Sequence, residues 1–466
     1  MRSLKRACRL SPCSLAAALV LVAHAAVAQI NVNSSPNVVG SGARALGMGG
    51  AFIAVADDAT SASWNPGGLT QLERPELSIV YSWKWASEDF ESKYHPELGG
   101  NFDVNFDDLN YLSVVYPIPW TLAGRNFVLS LNYQRKYDFT RALDVDFRDN
   151  TALSLGNTFD RYVKVHYRQD GGLSTLSPAF GFEVTDNLSL GVVANIWDES
   201  LVPGNEWKER DAFWTRSRIN GGIPSIVWGE IVDDYKGIEG LNYTFGALYK
   251  ATERLSFGAV YNSKFTADVN HTQYFRLRGG TPAFQSAYKK EKLHIEFPTA
   301  AGLGVAYRFP NDKLTLSLDI TRRAWDGFVK VDRAGRRTSG VTGQAEFLSK
   351  VDPTYTVRFG AEYVFIDAKK PLQEYLPSLR FGLLYDPEPS GGRRDRWFGL
   401  DKGNGEPDNY YGITLGTGVL IKNRVNLDAA YQYRWGNGGR KDTFGLPGTT
   451  ADVGQHQFNV STVIYF

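Results

Sequence analysis

The stretch that decides the fold is YGITLGTGVLI-KNR-VNLDAAYQYRW, residues 411–435. Every second position near the start of its first half is large and apolar, as at Tyr411, Ile413 and Leu415. The second half ends in the same way, with Tyr431 and Tyr433. A period of two is typical of a strand with one apolar face. Because only three polar residues separate the halves, the sequence predicts two antiparallel strands joined by a tight turn.

The same alternation recurs along the chain from residue 77 to residue 466, and it predicts about fourteen strands, an even number typical of outer-membrane barrels. Short and long connections alternate between these strands. The short ones are residues 185–187, 250–254, 308–313 and 422–424, and the long ones are 87–108, 138–172, 199–240, 266–292, 329–353, 387–409 and 436–455. Tight periplasmic turns and long outer loops give this pattern. The fold class predicted is therefore all-β, a transmembrane antiparallel β-barrel.

The composition agrees with a β-rich chain and excludes other classes. Of the 466 residues, 43% are hydrophobic, 13% are aromatic and 47 are Gly. A helical membrane bundle would need repeated apolar runs of about 20 residues, which the chain lacks. A disordered chain would carry few aromatic residues.

The first 28 residues are predicted to be a secretory signal peptide. Four basic residues precede an apolar run at 15–27, and Ala26-Val27-Ala28 forms a cleavage motif before Gln29. Its removal takes away both cysteines and changes the formal charge from +1 to −3. We expect no disulfide and no Cys-ligated metal, and the near-neutral charge gives no reason to expect nucleic-acid binding.

Residues 29–74 do not alternate and are rich in small side chains, which suits a compact plug inside a barrel. Three motifs stand in this segment: ALGMGGAF at 45–52, ADDAT at 56–60 and WNPGGL at 64–69. Together they resemble the N-terminal hatch of the FadL/TodX family of outer-membrane transporters for long-chain fatty acids and hydrocarbons. The expected organisation is a signal peptide at 1–28, a hatch at 29–74 and a barrel at 75–466.

Within the hatch, the resemblance singles out Asp57, Asp58, Asn65, Pro66 and Gly67. The family has Asn-Pro-Ala where this chain has Asn-Pro-Gly. We expect Gly67 to leave the local turn looser, since Gly restricts the backbone less than Ala.

Two of the predicted outer loops are unusually rich in aromatic residues, and in the family the corresponding loops form a hydrophobic capture groove. The candidate capture residues are Trp207, Phe213, Trp214, Trp228, Phe275 and Phe284. Exposed apolar patches are costly unless they are used. The alternative is that these aromatic side chains only pack the loops against each other.

Strand parity places Arg323, Arg358 and Arg434 inside the barrel, near the outer ends of their strands. A guanidinium binds a carboxylate through two parallel hydrogen bonds, so these residues are candidates for holding a fatty acid head group. The alternative is a structural network of Arg and Asp across the lumen.

The last strand ends with Phe466, which resembles the terminal aromatic assembly signal of outer-membrane barrels. We therefore expect the barrel-assembly machinery, outer-membrane lipids and lipopolysaccharide as partners of a monomer. The family releases its substrate through a kink in the third strand. Residues 126–140 contain neither Gly nor Pro, so a kink is not expected there.

The sequence favours an outer-membrane channel for passive, hatch-gated uptake of hydrophobic molecules, either fatty acids or aromatic and aliphatic hydrocarbons. The alternative is a plugged-barrel adaptor or anchor for secreted proteins, similar to PorV, without transport. No histidine has metal-ligand spacing and no Gly-x-Ser-x-Gly motif is present, so we expect no enzyme activity, no metal and no cofactor.

Overall fold

The computed structural model describes residues 41–93, 96, 99–121, 124–152, 158–279, 284–367, 369, 373–393, 405–439 and 448–466. The predicted signal peptide and the hatch residues up to 40 lie outside this range. Within it, no helix is both long and apolar enough to cross a bilayer.

The described strands, in chain order, are Glu76–Ser92 (β1), Gly100–Pro117 (β2), Phe127–Asp138 (β3), Arg141–Ala152 (β4), Thr158–Glu183 (β5), Leu188–Asp198 (β6), Glu206–Ile219 (β7), Ser225–Lys250 (β8), Leu255–Asn262 (β9), Phe265–Arg278 (β10), Phe284–Phe297 (β11), Ala300–Arg308 (β12), Leu314–Arg323 (β13), Val329–Val331 (β14), Arg337–Ser339 (β15), Ser349–Lys350 (β16), Thr354–Val364 (β17), Tyr375–Tyr385 (β18), Gly392–Arg393 (β19), Tyr411–Ile421 (β20), Val425–Gly439 (β21) and Thr449–Tyr465 (β22). The helices are Ala43–Gly47 (α1) and Ser61–Trp64 (α2), with 3-10 turns at Pro66–Gln71, Trp325–Gly327 and Glu346–Leu348.

Within these described strands, 14 close an antiparallel barrel in the order β1, β2, β3, β5, β6, β8, β9, β12, β13, β17, β18, β20, β21 and β22. The last strand pairs back to the first, with Glu76 opposite Tyr465 and Ser92 opposite Thr449. Closure leaves no unpaired sheet edge in the wall. The predicted fold class is confirmed.

The barrel is apolar outside and polar inside. Large side chains such as Leu303 (62% exposed) and Val114 (54% exposed) point away from the lumen, while Ser78, Thr414 and Asp319 are buried within it. This reversal of the usual soluble pattern fits a wall surrounded by lipid.

The remaining long strands form a second sheet that continues from one end of the barrel. It runs in the order β4, β5, β7, β8, β10, β11, β14 and β15, and we call it the outer sheet. β5 and β8 belong to both sheets, because their first halves pair in the outer sheet and their second halves pair in the barrel. The predicted long loops at 87–108, 138–172, 199–240 and 266–292 are thus mostly strands, so the prediction of loops there was wrong.

The described part of the hatch, residues 41–72, lies inside the barrel. Its two short helices and one 3-10 turn are almost entirely buried, with Phe52 and Trp64 in edge-to-face contact at 5.8 Å. A set of barrel glycines faces this segment, one from each of eight strands: Gly181, Gly191, Gly246, Gly258, Gly304, Gly360, Gly382 and Gly416. We call this set the glycine ring.

Side chains would not fit at the glycine ring. A Cβ added at any of these positions would lie between 2.2 and 2.9 Å from a hatch atom, and at Gly382 it would meet the backbone nitrogen of Gly49 at 2.2 Å. The barrel and hatch backbones are therefore in direct contact, which only Gly permits. Eight of the 47 glycines of the chain serve this contact.

Candidate functional site

A partly open cavity lies where the lumen meets the outer sheet. Its lining comes from β3, β6, β8, β9, β10, β12 and β13 and the connections between them. The residues are Lys136, Tyr137, Asn195, Trp197, Asn242, Asn262, Ser263, Phe265, Pro298, Ala300 and Arg323. We call it the outer cavity.

A strand irregularity brings Lys136 to this cavity. In the pairing of β3 with β5, Arg135 lies opposite Ser174 and Tyr137 lies opposite Leu173, so Lys136 is an extra residue without a partner position. Such a bulge bends a strand and redirects its side chains. The absence of Gly and Pro from 126–140 predicted an uninterrupted strand, yet β3 is irregular at Lys136.

Stacked aromatic rings form the apolar wall of the cavity. Phe265 stacks on Trp197 at 4.8 Å and on Phe297 at 4.5 Å, with interplanar angles of 13° and 5°. The Trp197 indole donates a hydrogen bond to Oδ1 of Asn242 at 2.8 Å, which fixes the ring in the wall. This arrangement offers an apolar surface with adjacent amide groups.

Two cations face this cavity without an acidic partner. Arg323 is 6% exposed, and its guanidinium lies 5.0 Å from the centre of the Trp325 ring. Among the described residues, no carboxylate is within ion-pairing distance of Arg323 or Lys136. In the part of the chain that the structure describes, the cavity therefore combines aromatic walls with two basic side chains that have no carboxylate in ion-pairing contact.

The other two predicted lumen arginines have partners. Arg434 is 1% exposed, with Glu388 at 2.8 Å and Asp386 at 3.2 Å, and it lies over the Tyr410 ring at 4.2 Å. Arg358 is 3.7 Å from Asp386. The structural-network alternative therefore describes the surroundings of Arg434 better than a free carboxylate site does.

The predicted Asp pair of the hatch takes part in a buried charge network. Arg44 contacts Asp57 at 2.6 Å and Asp58 at 3.5 Å, and it donates two hydrogen bonds to Glu362 of β17. Glu362 also accepts a hydrogen bond from Arg380 at 2.7 Å. One carboxylate thus joins the hatch to the barrel wall.

The Asn65-Pro66-Gly67 motif fixes the following 3-10 turn against β8. The Asn65 side chain accepts a hydrogen bond from the Gly67 nitrogen at 3.0 Å and donates one to the Ala247 carbonyl at 2.9 Å. A Cβ on Gly67 would lie 2.9 Å from the backbone nitrogen of Leu248. Gly67 therefore permits close packing against the wall, and the expectation of a looser turn was wrong.

Comparison with known proteins decides the family. The family model for outer membrane protein transport proteins (OMPP1/FadL/TodX) matches residues 16–462. The chain belongs to this family.

Solved structures of other proteins share the FadL/TodX fold with this chain. A Pseudomonas aeruginosa FadL homologue has a TM-score of 0.57 at 16% identity, with 92% of this chain and 99% of that chain covered. The CymD monoaromatic hydrocarbon channel has a TM-score of 0.51 at 16% identity, with 92% and 98% covered. A deltaS2 mutant of the TodX monoaromatic hydrocarbon channel has 0.54 at 13% identity, with 91% and 99% covered. Among curated protein sequences, none is significantly similar to the chain.

Membership of the FadL/TodX family places the chain in the outer membrane and makes it a transport protein. The family consists of channels rather than enzymes. Within the described residues, no cluster of His, Cys, Asp or Glu has the geometry to hold a metal ion.

The predicted capture residues of this family member lie on opposite faces of the outer sheet. Trp207 and Phe213 are each 2% exposed and pack in its interior. Trp214 and Trp228 form a cross-strand pair on the other face, and both are half-buried. Phe275 is half-buried, while Phe284 is 57% exposed. The six residues thus do not form one surface.

The terminal residue Phe466 follows β22 at the end of the barrel away from the outer sheet and is 71% exposed. Its backbone nitrogen donates a hydrogen bond to the Pro75 carbonyl at 3.0 Å, next to the start of β1. The aromatic ring is therefore accessible at the seam where the barrel closes.

Sequence reasoning missed Lys136. The run Gln134-Arg135-Lys136 breaks the alternation of β3 with three consecutive polar residues, and this break was the available signal. The amides of Asn195 and Asn242 were also missed, because their positions become adjacent only when β6 pairs with β8.

Proposed function

We propose that this protein takes up hydrophobic molecules with an anionic head group across the outer membrane by passive diffusion. The observation that carries the proposal is a pair of basic side chains, Lys136 and Arg323, without a described carboxylate in ion-pairing contact, in an aromatic-walled cavity at the outer end of the lumen. A long-chain carboxylate is the simplest molecule that matches both features.

The charges elsewhere in the lumen support this assignment. Arg44, Arg380 and Arg434 all have carboxylates within 2.8 Å. Removing a charge from water costs several kcal/mol unless a partner compensates it. The outer cavity departs from this rule, and a ligand carboxylate would restore it.

The polarity of the cavity also suits a ligand with one charged end. Asn195, Asn242, Asn262 and Ser263 offer neutral hydrogen-bonding groups beside the cations. The stacked rings of Trp197 and Phe265 offer the apolar surface that a hydrocarbon chain needs.

The related channels support both solute classes that the sequence left open. One similar structure is a FadL homologue, whereas CymD and TodX are monoaromatic hydrocarbon channels. A neutral hydrocarbon would leave Lys136 and Arg323 uncompensated. The two cations therefore favour an acid for this chain.

Capture at the outer surface remains part of the proposal, but only for those predicted capture residues that keep exposed ring surface. Trp228 and Phe284 keep exposed ring surface, and Arg278 lies 5.8 Å from the Trp228 ring. An exposed aromatic residue contributes to binding through the apolar area that it buries. We assign the buried Trp207 and Phe213 to packing rather than to contact with the solute.

Gating by the hatch is also proposed. The hatch fills the lumen below the outer cavity and is held by the glycine ring and by the Arg44–Glu362 contact. Passage to the periplasm requires this segment to shift. Weakening the Arg44–Glu362 contact should therefore make passage easier.

Native mass spectrometry of the purified protein tests the proposal. We expect dodecanoate to bind and dodecan-1-ol to bind more weakly, and Arg323→Met to remove the difference. Equal binding of the two ligands to the unmodified protein would contradict an anion site. If neither ligand binds and the protein instead co-purifies with a secreted protein, the adaptor alternative is the better description.

A further inference from the structure

The outward face of β10 and β11 carries four cations without acidic partners. They are Arg276, Arg278, Lys290 and Lys292, and all four are exposed. Among the described residues, none has a carboxylate within ion-pairing distance, and the undescribed residues 280–283 of the adjoining turn contain no acid. We call this set, with its neighbouring aromatic side chains, the basic face.

Several cations on the rest of the outer sheet have acidic partners. Arg148 and Arg218 contact Asp160, and Arg168 contacts Asp144, at 2.6 to 2.8 Å. On β7 and β8, Arg210 pairs with Glu230, and Lys236 pairs with Asp234. The carboxylates nearest to the basic face are therefore already engaged by other cations.

Aromatic rings are interleaved with these charges. Tyr274 and Tyr288 face each other across the two strands at 5.2 Å, and they are 45% and 59% exposed. Arg276 lies 5.6 Å from the Tyr274 ring. From Phe284 to Lys292 the strand extends about 27 Å, at about 3.4 Å per residue. The face is thus long, positive and partly apolar.

Its orientation separates it from the outer cavity, and Trp228 and Phe284 of the proposed capture surface lie on its side of the sheet. Val269, His271 and Leu293 on the same strands point the other way and are buried, Val269 and Leu293 in the cluster that holds Trp325 and Phe328. Successive strand residues alternate between faces. A solute bound on the basic face would therefore lie on the side of the outer sheet that faces away from the outer cavity.

We propose that the basic face binds the phosphate groups of lipopolysaccharide in the outer leaflet around the barrel. Phosphates are multivalent anions that Arg and Lys bind through charge-assisted hydrogen bonds. A single carboxylate would occupy only a small part of a surface about 27 Å long. The aromatic side chains suit the boundary between lipid and water. This contact anchors and orients the outer sheet, and it is independent of which solute the channel carries.

The test compares lipopolysaccharide with enzymatically dephosphorylated lipopolysaccharide, binding to the purified protein in detergent. The variant carries R276Q, R278Q, K290Q and K292Q. Each basic residue near an anionic lipid surface strengthens binding to it, so we expect at least roughly tenfold weaker binding of the phosphorylated form by the variant. The dephosphorylated form should bind both proteins equally weakly. Raising the salt concentration should weaken only the binding of the unmodified protein to the phosphorylated form.

A matched control removes exposed charge from the periplasmic end, with K250Q and K422Q, and should bind like the unmodified protein. If the fourfold variant does not fold, K290Q with K292Q should give a smaller loss in the same direction. The proposal is overturned if the variant binds phosphorylated lipopolysaccharide normally, or if the unmodified protein does not distinguish the two forms. Slower uptake of dodecanoate with unchanged lipopolysaccharide binding would also overturn it, because the basic face would then serve solute capture.

Discussion

Replacing Arg323 with Met should make uptake lose its preference for acids while leaving the barrel stable. The guanidinium is 6% exposed and has an aromatic ring, not a carboxylate, as its neighbour at 5.0 Å. In the absence of a ligand its removal breaks no ion pair, and Met retains much of the aliphatic length. We therefore expect the unliganded barrel to be as stable as before or slightly more stable.

The magnitude follows from the interaction that is lost. A hydrogen bond between charged groups contributes about 1.5–3 kcal/mol, which corresponds to roughly 10- to 150-fold in affinity. At dodecanoate concentrations below saturation, uptake by Arg323→Met should fall within that range, while uptake of dodecan-1-ol should change little. Lys136→Met should act in the same direction, and the double variant should lose more than either single variant.

The assay measures initial uptake rates of both solutes in cells that lack other channels of this kind. Arg434→Met is the matched control, because Arg434 is equally buried but contacts Glu388 and Asp386. Breaking a buried pair on one side costs about 3–5 kcal/mol. This variant should therefore unfold at a lower temperature without a change in the ratio of acid to alcohol uptake. The reasoning is refuted if Arg323→Met slows both solutes equally, or if Arg434→Met changes the ratio.

Four further expectations concern the hatch, the seam and the outer sheet. Glu362→Gln removes the charge between two arginines, so it should lower the unfolding temperature and raise single-channel conductance; unchanged conductance would contradict hatch gating. Gly382→Val places side-chain atoms against the hatch backbone, and limited proteolysis should then cut the hatch faster, whereas normal protection would mean that the ring tolerates bulk. Deleting Phe466 should reduce the fraction of protein assembled in the outer membrane without changing the conductance of what assembles, and normal assembly would make that residue incidental. In the outer sheet, burial raises the pKa of Glu209 to about 8. Because this pKa is raised on folding, stability should fall as pH rises from about 4.5 to about 8, and Glu209→Gln should flatten that slope in thermal unfolding curves.

The barrel was predictable because lipid surrounds it, so one face of each strand must be apolar. In β20, Tyr411, Ile413 and Leu415 face outward and are 41–58% exposed, and they alternate with small residues that face the lumen. The physical requirement is local to each strand and repeats around the wall. Period and connection length together were therefore enough to predict the strand number.

The outer sheet was not predictable by the same rule. In β7 the inward positions hold Glu209 and Asp211 between Trp207 and Phe213, while the outward positions include Trp214. Both faces mix polar and aromatic residues, because one face covers a polar aromatic interior and the other meets solvent and lipid. Side chains of these strands still alternate between the two faces, but hydrophobic and polar residues do not. In the sequence, these strands therefore resembled aromatic-rich loops.

The predicted binding arginines show what strand parity does not predict. Arg323 and Arg434 both lie on lumen-facing positions near the outer ends of their strands, so strand parity alone predicts the same role for both. Their difference comes from residues far away in sequence. Asp386 and Glu388, which follow β18, reach Arg434, whereas Arg323 lies beside the aromatic wall and the extra residue of β3. A lumen position predicts that a charge needs compensation, but only the folded neighbourhood decides whether the protein or the solute supplies it. We propose that Arg323 is the residue at which that role falls to the solute.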